Sequence, residues 1–252
     1  MRNPWTLKME QFTAFSDMEK RRLDELILAK RDQYAPREDI IADGAHSGHC
    51  HVVLSGLACR YKLLPDGSRQ IMAFLIPGDL CDAEIFILKV MDHAVAAITP
   101  TTTALIPSGD MKALLRETSS LGEALWWGTM TDLGVLRERI VDEGRRNAYV
   151  RIAHLFYEML VRYRMVELTV GNSFEFPITQ ADLADATGLT PVHANRTLRK
   201  LRADGLVELS GGMLTVLDPA RLKTAAQFNG EYLHLDRAHD PAPVGQRAGD
   251  LI

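Results

Sequence analysis

The sequence predicts an α+β fold in three parts. These are an N-terminal antiparallel β-roll over residues 1–109, a long helix over 110–143, and a C-terminal winged helix-turn-helix over 147–225. Three observations predict it. Between Tyr34 and Ile106, short β-type runs alternate with glycine and proline turn signals. From Ser119 to Glu143 there is no proline, and Trp126, Leu133 and Ile140 recur every seven residues. From Ile178 to Asp218, helix caps, helix breaks and apolar periodicity agree over about forty residues.

The elements follow in order. Asp17 to Lys30 reads as a short amphipathic helix with Leu23, Leu26 and Ile27 on one side. The β-type runs are DIIADG, HVVLSG, ACRYKLLPDG, RQIMAFLIPGD and AVAAITPTTTALIP. Pro65-Asp66-Gly67 is a hairpin turn, because proline presets φ and glycine accepts a positive φ. This texture predicts an antiparallel sandwich or barrel. After Ser108 a helical pattern takes over. Thr129 and Leu136 fill the spaces between Trp126, Leu133 and Ile140 and complete a heptad seam. At about 1.5 Å per residue, the helix exceeds about 30 Å and needs a partner for its stripe. The expected partner is a second copy, with Trp126, Leu133, Leu136 and Ile140 at the interface. Gly144-Arg145-Arg146-Asn147 reads as a hinge. Ala148 to Val166 is a second amphipathic helix, whose Arg151, Arg162 and Arg164 are expected to avoid the core. Residues 171–176 read as a loop or short strand, and the tail from about Asp236 (236–252) as a flexible segment.

The stretch ITQADLADATGLTPVHANRTLRKLRADGLVELSGGMLTVLD carries the chemistry. Thr179 with Asp182 three residues on is a capping arrangement. Gly188 ends that helix, Leu189 plugs the turn, and Thr190 caps a second helix with Pro191 at its first position. Ala194, Leu198 and Leu201 then face inward. Val192, His193, Asn195, Arg196, Arg199 and Lys200 are left outside or on the flanks. Gly205 stops the helix, and Ser210-Gly211-Gly212 turns a hairpin. This is a winged helix-turn-helix. Its second helix suits the major groove of double-stranded DNA. Arginine offers two donors to guanine, asparagine a donor and an acceptor to adenine, and Val192 an apolar contact to a thymine methyl. His193, Asn195, Arg196 and Val192 are the expected base contacts. Thr179, Gln180, Thr190, Arg199 and Lys200 are the expected phosphate contacts.

Composition sets the limits. The chain has 252 residues, 46% hydrophobic and 25% charged, with a net charge of −4. That gives no global bias toward nucleic acid, so binding must come from a local patch. No apolar run approaches the roughly 18 residues of a membrane span. MRNPWTLKMEQFTAF lacks the apolar centre of a signal peptide. The expected location is the cytoplasm, with no membrane partner. Cys50, Cys59 and Cys81 are odd in number and widely spaced, which argues against a disulfide framework. Cys59 and Cys81 sit in apolar strand contexts and are expected in the core.

The order of these parts, with the block SGLACRYKLLPDGSRQIMAFLIPGD and the helix-turn-helix, resembles the Crp/Fnr superfamily of bacterial transcription regulators. The resemblance runs from about Phe12 to Leu222. It implies a cyclic-nucleotide-binding-like jelly roll, a homodimer on a two-fold symmetric DNA site, no enzymatic activity, and RNA polymerase as a further partner. Members that bind cyclic AMP carry a glycine-glutamate pair and later an arginine-serine pair. Here those positions align with Asp82-Ala83 and His93-Ala94. The ribose acceptor and phosphate-binding guanidinium are missing, and Asp82 is expected to repel a phosphate. The cysteine cluster of the iron–sulfur branch is absent before Cys50. The glutamate of many recognition helices aligns with Val192, while Arg196 matches the arginine used on guanine. No cofactor is expected, and the effector is left open.

Some residues carry other signals. His49-Cys50-His51 places two histidines on one strand face near His46, as in cupin metal enzymes. The expected carboxylate position holds Leu54-Ser55 instead, and no third histidine follows. A regulatory metal or haem on His46, His49, His51 or His93 is the alternative. Solvent-facing histidines at a loop–strand junction is the simpler expectation. Trp126 and Trp127 are read as packing residues rather than an effector-pocket wall. Control by abundance, by a ligand in the β-roll, or by redox change at Cys50 or Cys59 all stay open.

Overall fold

The structure is a computed structural model and describes residues 3–46, 48–82 and 90–235. Two short helices come first, α1 (Pro4–Met9) and α2 (Asp17–Ala29). Ser16 and Glu19 close a capping box at the start of α2, satisfying two backbone donors reciprocally. Among the described residues, seven strands follow: β1 (Arg31–Tyr34), β2 (Asp39–Ile41), β3 (His49–Ser55), β4 (Ala58–Leu63), β5 (Arg69–Leu75), β6 (Ala94–Ala97) and β7 (Thr101–Pro107). They form two antiparallel sheets, ordered β1-β7-β3 and β2-β6-β4-β5. The run read as AVAAITPTTTALIP is two strands in different sheets, parted at Ile98–Pro100. β1 begins before the first predicted run. Its residues RDQY alternate exposed and half-buried and carry no apolar pattern.

The helix expected over 110–143 is two helices, α3 (Ser108–Glu117) and α4 (Ser119–Gly144), parted at an extended Thr118. The winged helix-turn-helix comprises α5 (Ala148–Met165), β8 (Ser173–Glu175), α6 (Gln180–Thr187), α7 (Pro191–Ala203), β9 (Val207–Ser210), β10 (Met213–Val216) and α8 (Pro219–Ala225). The tail assigned to 236–252 lies outside the described residues.

One apolar cluster runs across the expected domain boundary. Leu57, Cys59, Ile71, Phe74 and Ile76 of the β-roll pack with Ile152, Phe156, Phe176 and Leu183 beyond the hinge. Phe74 meets Phe176 edge to face at 5.2 Å. All three cysteines are buried. Burial pushes the Cys59 thiol up to about 12 and the Cys50 thiol higher still, so neither is a poised thiolate.

Charged groups stitch the same boundary. Asp79, of the Pro77-Gly78-Asp79 turn, is buried. It accepts from Lys8 of α1 at 2.7 Å, from Arg162 of α5 at 2.6 Å and from the Ile76 amide at 2.8 Å. Arg60 of β4 donates to Asp132 of α4 at 2.9 Å. Arg151 donates to the Thr187, Glu143 and Arg146 carbonyls. The expectation that Arg151 and Arg162 avoid the core is therefore corrected. Helical spacing places them correctly relative to α5, but the β-roll and hinge cover them. Arg164 is exposed as expected.

Burial raises the Asp79 pKa, but the Lys8 and Arg162 charges outweigh it and hold the carboxyl below the usual aspartate range. A depressed folded pKa contributes stability above the unfolded value, lost as pH falls through the folded one. Stability is expected to decline as pH drops below about 4. In acid-titrated chemical denaturation, Asp79→Asn should flatten that limb. It should also cost about 3–5 kcal/mol at neutral pH by leaving two cations unmatched.

Candidate nucleic-acid interface

The turn between α6 and α7 is built by its caps. The Thr179 hydroxyl accepts from the Asp182 amide and donates to the Asp182 carboxylate. Gly188 ends α6 at φ +60°, a conformation that costs little only without a Cβ. Thr190 caps α7 through the His193 amide, and Pro191 takes the first turn. Ala194, Thr197, Leu198 and Leu201 are buried. Val192 is 80% exposed. Arg196, Arg199 and Lys200 are exposed, and His193 and Asn195 are half-buried beside them. The six side chains predicted outside thus border one open face of α7. Thr179, Gln180 and Thr190 are exposed next to it.

Sequence reasoning missed the residues that hold this face. Lys200 lies 5.0 Å over the Tyr149 ring of α5, and the Tyr149 hydroxyl donates to Asp204 at 2.6 Å. Arg202 donates to the Leu209 carbonyl and ties α7 to the wing. Arg69, in the β-roll, donates to Asp182 and Asp185 of α6. The links from Tyr149 and Arg69 join residues more than fifty positions apart, so no local pattern signals them, and the Arg202 contact forms only once the chain turns into the wing.

α4 presents the second face. Trp126 and Ile140 are 67% and 72% exposed, and Leu133 and Leu136 are also uncovered. On the opposite side, Leu121, Ala124, Thr131 and Val135 are buried. Trp127 packs, with its ring stacked on Phe12 and edge-on to His234.

A cavity of about 420 Å³ lies where β4, β5, α4 and α5 meet. Lys8, Arg60, Lys62 and Arg162 border it, and each is paired with a carboxylate: Asp79, Asp132, Asp43 and Asp79 respectively. His93 also borders it, bonded through Nδ1 to Asp92. The histidine expectation needs correcting. His46 is exposed and His49 half-buried, but His51 and His93 are buried. His51 is held by Asp82, which accepts from its amide and pairs with Nδ1, both at 2.8 Å. Asp82 is fully buried against that histidine, so it does not confront the cavity as expected. Among the described residues, no three His, Cys, Asp or Glu side chains converge as a metal site.

Comparison with known proteins matches this geometry. Residues 150–225 match the Crp-like helix-turn-helix domain, and residues 31–118 match the cyclic nucleotide-binding domain. The chain belongs to the Crp/Fnr family. It is 29% identical over 205 residues to the nitrogen fixation regulation protein FixK of Bradyrhizobium diazoefficiens, covering 79% of this chain and 83% of that one. It is 27% identical over 193 residues to the transcriptional activator protein FnrL of Cereibacter sphaeroides, covering 75% and 77%. The structure of FixK2 from Bradyrhizobium japonicum aligns with a TM-score of 0.69 at 27% identity, over 78% of this chain and 96% of that one. The chain is a DNA-binding transcription regulator of this Crp/Fnr type. Family members bind DNA and act as dimers.

Gly188 offers a local test of the turn that sets α7. Gly188→Ala should cost the winged-helix region about 1–2 kcal/mol, because the left-handed conformation crowds a Cβ. Thermal unfolding followed by circular dichroism checks it, and an unchanged midpoint would refute the turn's role.

Proposed function

We propose that this regulator acts as a homodimer on a two-fold symmetric DNA site. Two α4 seams would pair through Trp126, Leu133, Leu136 and Ile140, and each α7 would enter one of two successive major grooves. The observation that carries this is the uncovered apolar row on α4, together with the open polar face of α7 in the same chain. A large apolar row facing water is normally covered by a partner. Asn195, Arg196 and Val192 would meet base edges, with His193 flanking them. Thr179, Gln180, Thr190, Arg199 and Lys200 would meet phosphates, Lys200 moving off the Tyr149 ring.

The effector is not a cyclic nucleotide bound in the usual way. The four Lys and Arg side chains at the cavity are already paired, and His93 replaces the guanidinium that would grip a phosphate. The buried thiols disfavour redox control at Cys50 or Cys59. Control by abundance or by another ligand of the cavity fits better. Action in the cytoplasm, with contact to RNA polymerase, completes the reading. No described helix is long and apolar enough to cross a membrane.

The test is an unbiased selection of duplex DNA by the purified protein without added effector. A two-fold symmetric site should be enriched, and lost with Asn195→Ala/Arg196→Ala. On that site, Arg196→Ala alone should cost about 1–3 kcal/mol and relax one base position, while Lys200→Ala should weaken all sequences alike and flatten the salt slope. Altered base preference from Lys200→Ala would contradict the assignment of the α7 face.

A further inference from the structure

The chain continues past the winged helix. α8 ends at Ala225, as does the matched helix-turn-helix domain. Residues 226–235 then turn back toward α4. Phe228 packs against Tyr157 and His154 of α5, with ring centroids 4.8 and 5.2 Å apart. A 3-10 turn follows at Gly230–Leu233, capped by the Asn229 side chain. Leu233 is buried and closes one wall of the cavity.

Tyr232 reaches both helices that meet at the hinge. Its hydroxyl donates to Glu158 of α5 at 2.9 Å and lies 3.1 Å from His154 Nε2. Arg146, in the hinge, donates to His154 Nδ1 at 2.9 Å, so Nε2 carries the proton and the Tyr232 hydroxyl accepts it. Burial lowers the His154 pKa, in keeping with that neutral ring. On the other side, the Tyr232 backbone presses on α4 at Gly134. A Cβ there would stand 2.7 Å from the Tyr232 carbonyl oxygen. Glycine weakens a helix interior, and its place at Gly134 is explained by this close approach. Beyond it, His234 meets Trp127 of α4 edge-on at 5.4 Å.

α4 and the DNA-binding domain are joined in sequence only through residues 145–147. Rotation there would swing α7 relative to α4. We propose that residues 226–235 are a positioning strap. They bind α4 and α5 at once, fix the angle across the hinge, and thereby set the separation at which two recognition helices meet DNA. Tyr232 and Gly134 are its positioning residues, since neither borders the DNA face. The inference rests on the dimer reading above.

Two variants test it in the full chain. Gly134→Ala favours the α4 helix while displacing the Tyr232 carbonyl. Tyr232→Phe removes the hydroxyl from Glu158 and His154 with little change of shape. Affinity is measured on the selected site, and on the same site with one base pair inserted between its half-sites. Wild type should discriminate strongly between the two. Each variant should lower that ratio by about fivefold or more, the range typical of site-to-site coupling. Sedimentation should show an unchanged dimer. If both variants keep the wild-type ratio, even at lower affinity, the strap is packing only and the proposal fails. A wild type indifferent to spacing would sink the dimer reading and the strap together.

Discussion

The junction at Asp79 is the constraint on which the rest of the structure depends. One buried carboxylate receives Lys8 from α1 and Arg162 from α5, and sits in the turn that ends β5. A buried charge is tolerated only when matched and hydrogen-bonded, so the three segments must meet in one geometry. The apolar cluster that crosses from Phe74 to Phe176 fills the space around it. The cluster supplies attraction without direction, and the ion triad supplies direction.

That junction makes the β-roll part of the DNA-binding apparatus. Arg69 reaches from β5 to two carboxylates of α6, and Arg60 reaches from β4 to α4. The helix expected to meet phosphates is thus held by the domain expected to sense. A ligand in the cavity would touch the same groups, because Asp79, Arg60, Asp132 and Arg162 all border it. Coupling between cavity and DNA then needs no long relay. It needs only that a ligand favour one packing of this junction over another.

Much of this was legible in the sequence. The turn of the helix-turn-helix was readable because its determinants are local: Thr179 with Asp182, Gly188, Thr190 and Pro191 each act within one helical turn. The α4 seam was readable because a seven-residue repeat is a property of the chain itself. β1 was not, since RDQY has no apolar period and is a strand only because β7 pairs with it. The break at Thr118 carries neither glycine nor proline and was hidden for that reason. Arg162 and Arg151 were misplaced because their partners lie in other elements. Periodicity is a property of one helix at a time, and an arginine facing away from its own core can still face a carboxylate across a boundary. His51 was misread likewise, because Asp82 lies 31 positions away.

In the proposed dimer, two winged helices face two successive major grooves. Hydroxyl-radical footprinting of the full-length protein on its selected site tests this most directly. Two protected patches are expected on one face of the duplex, centred about one helical turn, or 34 Å, apart. A single patch, or two patches on opposite faces of the duplex, would contradict it.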